Sequence, residues 1–128
     1  MLDHISLGVS HMARARAFYD AVLSVLGYKR VMTFDAFAGY GDEDGYPRAC
    51  INPPLDRTKA AAPGPGTHVC FTASDRKSAG TFDAAAHANG ATDDGPPGLR
   101  ANYDPKYYAA FVIDPDGHKI EAVTYRPD

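Results

Sequence analysis

The chain repeats itself, and that repeat limits its fold more than any other feature of the sequence. His4-Ile5 aligns with His68-Val69, Ser10 with Ser74 and Phe18 with Phe82, all at an offset of 64 residues. Gly27 and Gly90 follow at 63, and Asp42-Glu43-Asp44-Gly45 matches Asp114-Pro115-Asp116-Gly117 at 72, an alignment that sets Ala49 opposite Glu121. A duplicated supersecondary unit buries its apolar face by pairing with its copy. Each half has the same order of elements. Leu2 to Val9 alternates Ile5, Leu7 and Val9 with His4, Ser6 and Gly8, the period of a strand with two unlike faces. Ser10 then reads as a helix N-cap, Met12, Ala15, Phe18, Val22 and Leu26 recur at helical spacing, and Gly27 stands where a C-terminal cap belongs. Tyr28-Phe34, Phe37-Tyr40 and Tyr46-Ile51 are β-prone runs separated by turn residues. The second half repeats this with a strand over 66–74 ending in a capping Ser74, a helix from Asp75 to about Ala88, a Gly/Pro loop from Asp93 to Ala101, and a hairpin of Tyr107-Ile113 and His118-Tyr125 around a type I turn at Asp114-Pro115-Asp116-Gly117.

The expected fold is α+β: two paired β-α-β-β-β modules forming a curved mixed sheet around a concave site. Module one runs over about 1–52, a proline-rich linker over 53–66 and module two over about 67–125, all within one domain of 128 residues. An apolar fraction of 45% suffices for a core. A net charge of −3 offers no footprint for nucleic acid. Apolar runs of only a few residues and a first segment without a signal-peptide pattern suggest a soluble, cytoplasmic protein. Cys50 and Cys70 lie in strand-like runs without zinc-type spacing and read as buried, unpaired thiols, Cys50 facing the helices if Ala49 faces the cavity. In that register Arg48 would point into the helix layer, which conflicts with its charge.

Equivalent positions on the two first strands are related by a pseudo-twofold axis, so His4 and His68 should converge across a shared concavity. With Glu121 from the last strand they form a two-histidine, one-carboxylate set able to hold a divalent transition metal and leave coordination sites open. His11, His87 and His118 read as surface residues, and Cys70 as an inert thiol with no cationic neighbour. Walker loop, dinucleotide fingerprint and nucleophile elbow are all absent from the sequence.

The segments His4-Ile5-Ser6-Leu7-Gly8-Val9-Ser10, Phe18-Tyr19, Leu26-Gly27-Tyr28, Gly66-Thr67-His68-Val69 and Asp114-Pro115-Asp116-Gly117-His118-Lys119-Ile120-Glu121 together resemble the vicinal oxygen chelate superfamily. That group includes glyoxalase I, extradiol dioxygenases, fosfomycin-resistance enzymes, methylmalonyl-CoA epimerase and bleomycin-binding proteins. The resemblance implies paired modules around a metal site, with His4, His68 and Glu121 on three ligand positions and one divalent ion, Zn, Ni, Mn, Fe or Co. It also implies Phe111 facing inward with Tyr107, and Tyr108 facing the helices. Glyoxalase I would place a fourth ligand where the repeat alignment finds Ala49. Extradiol dioxygenases would place a tyrosine where Phe111 stands, and the apolar run at Tyr107-Tyr108-Ala109-Ala110-Phe111 does not suit a phosphonate.

The expected function is thus that of a metal-dependent enzyme, lyase or isomerase in type, which acts on a small oxygen-bearing molecule by Lewis-acid stabilisation of an enolate. Tyr107, Phe111, Cys70, Arg100 and Tyr103 are the candidate substrate-binding residues. A metal-free drug-binding protein of the bleomycin-resistance type and an Fe(II) extradiol-type dioxygenase are the rival readings. A homodimer is expected, with no nucleic-acid or membrane partner.

Overall fold

In the computed structural model, which describes residues 1–128, the alternation at the start of the chain becomes strand β1 (Ile5–Gly8). Helix α1 (Met12–Ser24) follows and buries the apolar stripe of Ala15, Phe18, Tyr19, Val22 and Leu23. Strands β2 (Lys29–Phe34), β3 (Phe37–Gly41) and β4 (Ala49–Asn52) complete the first module. The second contains β5 (His68–Thr72), α2 (Arg76–Ala88), β6 (Thr92–Asp93), β7 (Gly98–Leu99), β8 (Tyr108–Ile113) and β9 (Lys119–Thr124). The two-residue strands β6 and β7 lie in the segment read as loop from Asp93 to Ala101, or at its border, and pair with β8.

Each module has its own mixed sheet, ordered β1-β4-β3-β2 and β5-β9-β8-β6, with β7 also on β8. The first strand of each module pairs in parallel with the last, and the remaining pairs are antiparallel. Side chains on one face of both sheets and on both helices merge into one core of 17 buried residues, from Val9 and Phe18 to Phe82, Ile120 and Ala122. No helix is long and apolar enough to cross a membrane.

Both expected serine caps are displaced. His11 occupies the N-cap of α1 in an extended conformation without a side-chain cap. Ser10 instead accepts a hydrogen bond from the Ala61 amide (3.1 Å) and donates its own amide to Asp116 Oδ1 (2.8 Å), tying β1 to the linker and to the second module. At α2 the cap is Asp75, whose carboxylate accepts from the Ser78 amide at 2.7 Å, while Ser74 only shares a hydroxyl contact with Ser78. Gly27 and Gly90 do end the helices, at φ +93° and +96°, where a side chain would be strained.

The modules are joined by polar contacts at the turn before β9. Buried Asp114 accepts from the Tyr19 hydroxyl of α1 (2.5 Å) and from the amides of Asp116 and His118. His118, expected on the surface, is buried, and its Nε2–H donates to the Gly8 carbonyl at 2.7 Å. It follows a turn in sequence, but that turn packs against β1, which sequence position alone does not reveal.

Candidate functional site

In β9, Ile120 and Ala122 enter the core, so period 2 sends Lys119, Glu121 and Val123 to the opposite, concave face. In β5, Val69 and Phe71 pack on the core, and His68, Cys70 and Thr72 take the concave side. The parallel register sets Cys70 beside Glu121, and the antiparallel register sets Phe111 beside it on the other flank. Glu121 is 1% exposed. A carboxylate this buried needs partners, because an uncompensated charge is costly away from water. His68 Nε2 lies 3.2 Å from Oε1, and the Tyr107 hydroxyl donates to Oε2. Burial pushes the Cys70 thiol up to about 12, and the adjacent Glu121 charge adds to the shift. Burial and the bond to Glu121 likewise hold the Tyr107 hydroxyl well above the usual phenol range, so it stays a donor.

Around this centre the wall is aromatic. Tyr107 makes edge contacts with Tyr103 (5.2 Å between centroids) and Tyr125 (5.4 Å). Phe111, Ala109 and Val123 form a small apolar cluster with Tyr107, while Tyr108 packs on the main core. Arg100 and Lys119 lie over the Phe111 ring, at 5.4 and 5.0 Å. The Arg100 guanidinium is engaged by the carbonyls of Gly98 (2.8 Å) and Pro96 (2.7 Å), so it shapes the wall more than it offers a free cation.

The first module contributes His4, Ser6 and Cys50, which with Met32, Phe37, Tyr46 and Pro47 line a cavity of about 410 Å³. A second cavity of about 340 Å³ runs between β1 and β5 and is lined by both His4 and His68. His4 is exposed, and its Nδ1 lies 2.6 Å from Asp3 Oδ1. The ligand atoms of His4, His68 and Glu121 do not gather within 4.8 Å of one another; those of Asp83, His87 and Asp93, on the flank of α2, do. The structure thus brings His68, Glu121, Cys70, Tyr107, Phe111, Tyr103 and Arg100 to one face and turns the His4 ring toward Asp3.

The strand register corrects the repeat alignment. Ser6 pairs with Cys50 as Cys70 pairs with Glu121, so the counterpart of Glu121 is Cys50, and Ala49 packs on the helix side. Cys50 therefore faces the concave side, and the conflict over Arg48 disappears: it is exposed, with its guanidinium over the Tyr46 ring and bonded to Asp44. Cys50 is buried as expected, whereas Cys70 is exposed; both are unpaired. Asp3, Tyr46 and Lys119 are not among the candidate site residues that the sequence offers. Asp3 directly precedes a candidate ligand, the one signal that pointed to it.

Of the expected donors, His68 and Glu121 stand at the spacing of two ligands of one divalent ion, whereas His4 lies apart from that pair. Two ligands at roughly 2.0–2.2 Å from one tetrahedral or octahedral ion lie about 3.0–3.5 Å apart, and His68 Nε2 and Glu121 Oε1 are 3.2 Å apart. His4 is a neighbour in the same groove with its Nε2 unengaged by hydrogen bonds.

Residues 1–122 match the family described as the Glyoxalase/Bleomycin resistance protein/Dioxygenase superfamily. Among solved structures, a glyoxalase/bleomycin resistance protein from Albidiferax ferrireducens T118 is 32% identical, with 99% of each chain covered and a TM-score of 0.85. A V278E mutant of glyoxalase I from Zea mays is 26% identical at a TM-score of 0.67, covering 95% of this chain and 45% of that one. A glyoxalase-related enzyme from Fulvimarina pelagi shares the fold at 16% identity and a TM-score of 0.74, covering 96% of this chain and 86% of that one. No curated protein matches the chain.

Proposed function

Because the chain belongs to the glyoxalase/bleomycin resistance protein/dioxygenase superfamily, we propose that its concave face is the active site of a metal-dependent enzyme acting on a small molecule through adjacent oxygen atoms. His4, His68 and Glu121 are the proposed ligands of one divalent ion. The observation that carries this reading is the buried Glu121 carboxylate, with His68 Nε2 at ligand-to-ligand distance from one oxygen and the Tyr107 hydroxyl on the other. When bound, such an ion supplies Lewis acidity that stabilises negative charge developing on a substrate oxygen.

The chain's own residues divide the remaining tasks. Tyr107 fixes the Glu121 carboxylate and leaves Oε1 facing His68. Tyr103, Tyr107, Phe111 and Tyr125 provide an aromatic wall for a ring or an apolar substituent, and the cavity beside Met32, Phe37 and Pro47 offers room for another. Description of the Fulvimarina pelagi protein as a glyoxalase-related enzyme supports the enzymatic reading. We further infer a homodimer, since the sheet edge at β2 is open and bears exposed Met32 and Phe34.

Metal analysis of protein purified without chelators is expected to find one divalent ion per chain. Occupancy should fall on acidification, because a protonated imidazole can no longer donate its lone pair. Glu121→Gln keeps the side-chain volume but removes the anionic donor, and should weaken zinc binding by about tenfold or more. A chain that binds no divalent ion at neutral pH defeats the proposal. The orientation of His4 toward Asp3 would then favour a metal-free binding protein with the same cavities.

A further inference from the structure

Asp3 and Tyr46 belong to none of the sequence motifs, yet they meet at His4. His4 Nδ1 is 2.6 Å from Asp3 Oδ1, and the Tyr46 hydroxyl donates to both oxygens of that carboxylate, at 2.8 and 2.9 Å. An ionised carboxylate only accepts, so the hydrogen of the His4 contact sits on Nδ1. In a neutral ring the lone pair is then on Nε2.

The position of Tyr46 is built into the hairpin between β3 and β4. Gly45 takes φ +76°, and a Cβ on Gly41 would stand 2.1 Å from the Tyr46 carbonyl oxygen, so the loop folds back only because Gly41 has none. Asp44 accepts from the Tyr46 amide at 2.9 Å, and the Arg48 guanidinium covers the Tyr46 ring at 5.0 Å. The ring is held from several sides with its hydroxyl on Asp3.

We propose that Asp3, braced by Tyr46, is a positioning residue that fixes His4 as its Nδ1–H tautomer and presents Nε2 as the free donor toward a divalent ion. The metal part rests on the reading of His4 as a ligand; the tautomer part stands by itself. Histidine donors in metal sites usually give their other ring N–H to such an outer partner, which sets the tautomer and raises ligand basicity.

The test uses the full chain, metal-free and labelled with nitrogen-15, with ring-nitrogen spectra recorded at an alkaline pH at which the His4 signal no longer changes on further addition of base. The His4 signal is identified by its loss in His4→Gln. Native His4 is expected to carry its proton on Nδ1. Asp3→Ala should move it to the Nε2–H form that an unconstrained histidine favours, and Asp3→Asn should retain the native form because its amide oxygen still accepts. Tyr46→Phe should give a mixture, and a pure Nδ1–H ring in that variant would remove Tyr46 from the proposal. Zinc titrated into the same proteins should bind Asp3→Ala about 10- to 100-fold more weakly than native, with Asp3→Asn close to native. A native ring already in the Nε2–H form, or one unchanged by Asp3→Ala, overturns the proposal. Absence of zinc binding by the native chain would instead defeat the metal reading, and the spectra would still decide the tautomer.

Discussion

Glu121 adds its charge to the effect of burial on its neighbours, and Cys70 is the neighbour on which that influence is easiest to measure. The residue is exposed while its thiol sits against the carboxylate, and burial together with that charge pushes it up to about 12. The reactive form of cysteine is the thiolate, so an accessible Cys70 should still react slowly. In metal-free protein carrying Cys50→Ser, alkylation by iodoacetamide at pH 8 is expected to run at least about tenfold slower than for an unperturbed cysteine. Adding Glu121→Gln removes the charge but not the burial, so it should lower the thiol part of the way and accelerate the reaction. Rates unaffected by that substitution would show that the two groups do not interact. The sequence suggested an inert thiol for lack of a cationic neighbour; the structure adds the anion beside it, which strand pairing alone could reveal.

At the scale of elements, periodicity was enough to locate both helices and the main strands, because apolar spacing records which face is buried. Boundaries and register were less legible. Serine at the end of each first strand resembles a cap, but Ser10 is claimed by Asp116 and Ala61, and α2 is capped one residue later by Asp75. Replacing Asp75 with Ala should therefore lower the melting temperature by a few degrees, whereas Ser74→Ala should lower it by well under half as much. Calorimetry on the two variants checks this; an equal or larger loss for Ser74→Ala would return the cap to the serine. The register error at Ala49 has a different origin. The turn motifs align, but the segment between β3 and β4 is longer than that between β8 and β9, so the strand after the first turn enters its sheet one position later. A single residue exchanges the two faces of a strand, which is why Cys50 rather than Ala49 stands where Glu121 does.

Across the whole molecule, the repeat made the two-module plan readable, whereas the contacts that lock the modules together were not. Tyr19 on Asp114 and His118 on Gly8 each span about a hundred residues or more of sequence and leave no local pattern. The same holds for what remains uncovered. Strand β2 is the outer edge of the first sheet, with free backbone groups along one side, and all but one of its residues are exposed. Phe34 is 63% exposed and lies 6.3 Å from the Phe37 ring, so an apolar patch borders that open edge. An edge of this kind is a site of association unless something covers it. A second copy of the chain can supply that cover, and sedimentation at micromolar concentration is expected to report twice the 13.7 kDa of the single chain. Phe34→Glu places a charge in the middle of the patch, where desolvating it opposes association. It should weaken the dimer by about tenfold or more without unfolding the chain, because Phe34 contributes nothing to the main core. A native chain that sediments as a monomer overturns the dimer. A Phe34→Glu chain that stays fully dimeric moves the interface away from β2, toward the linker where Leu55 is also exposed.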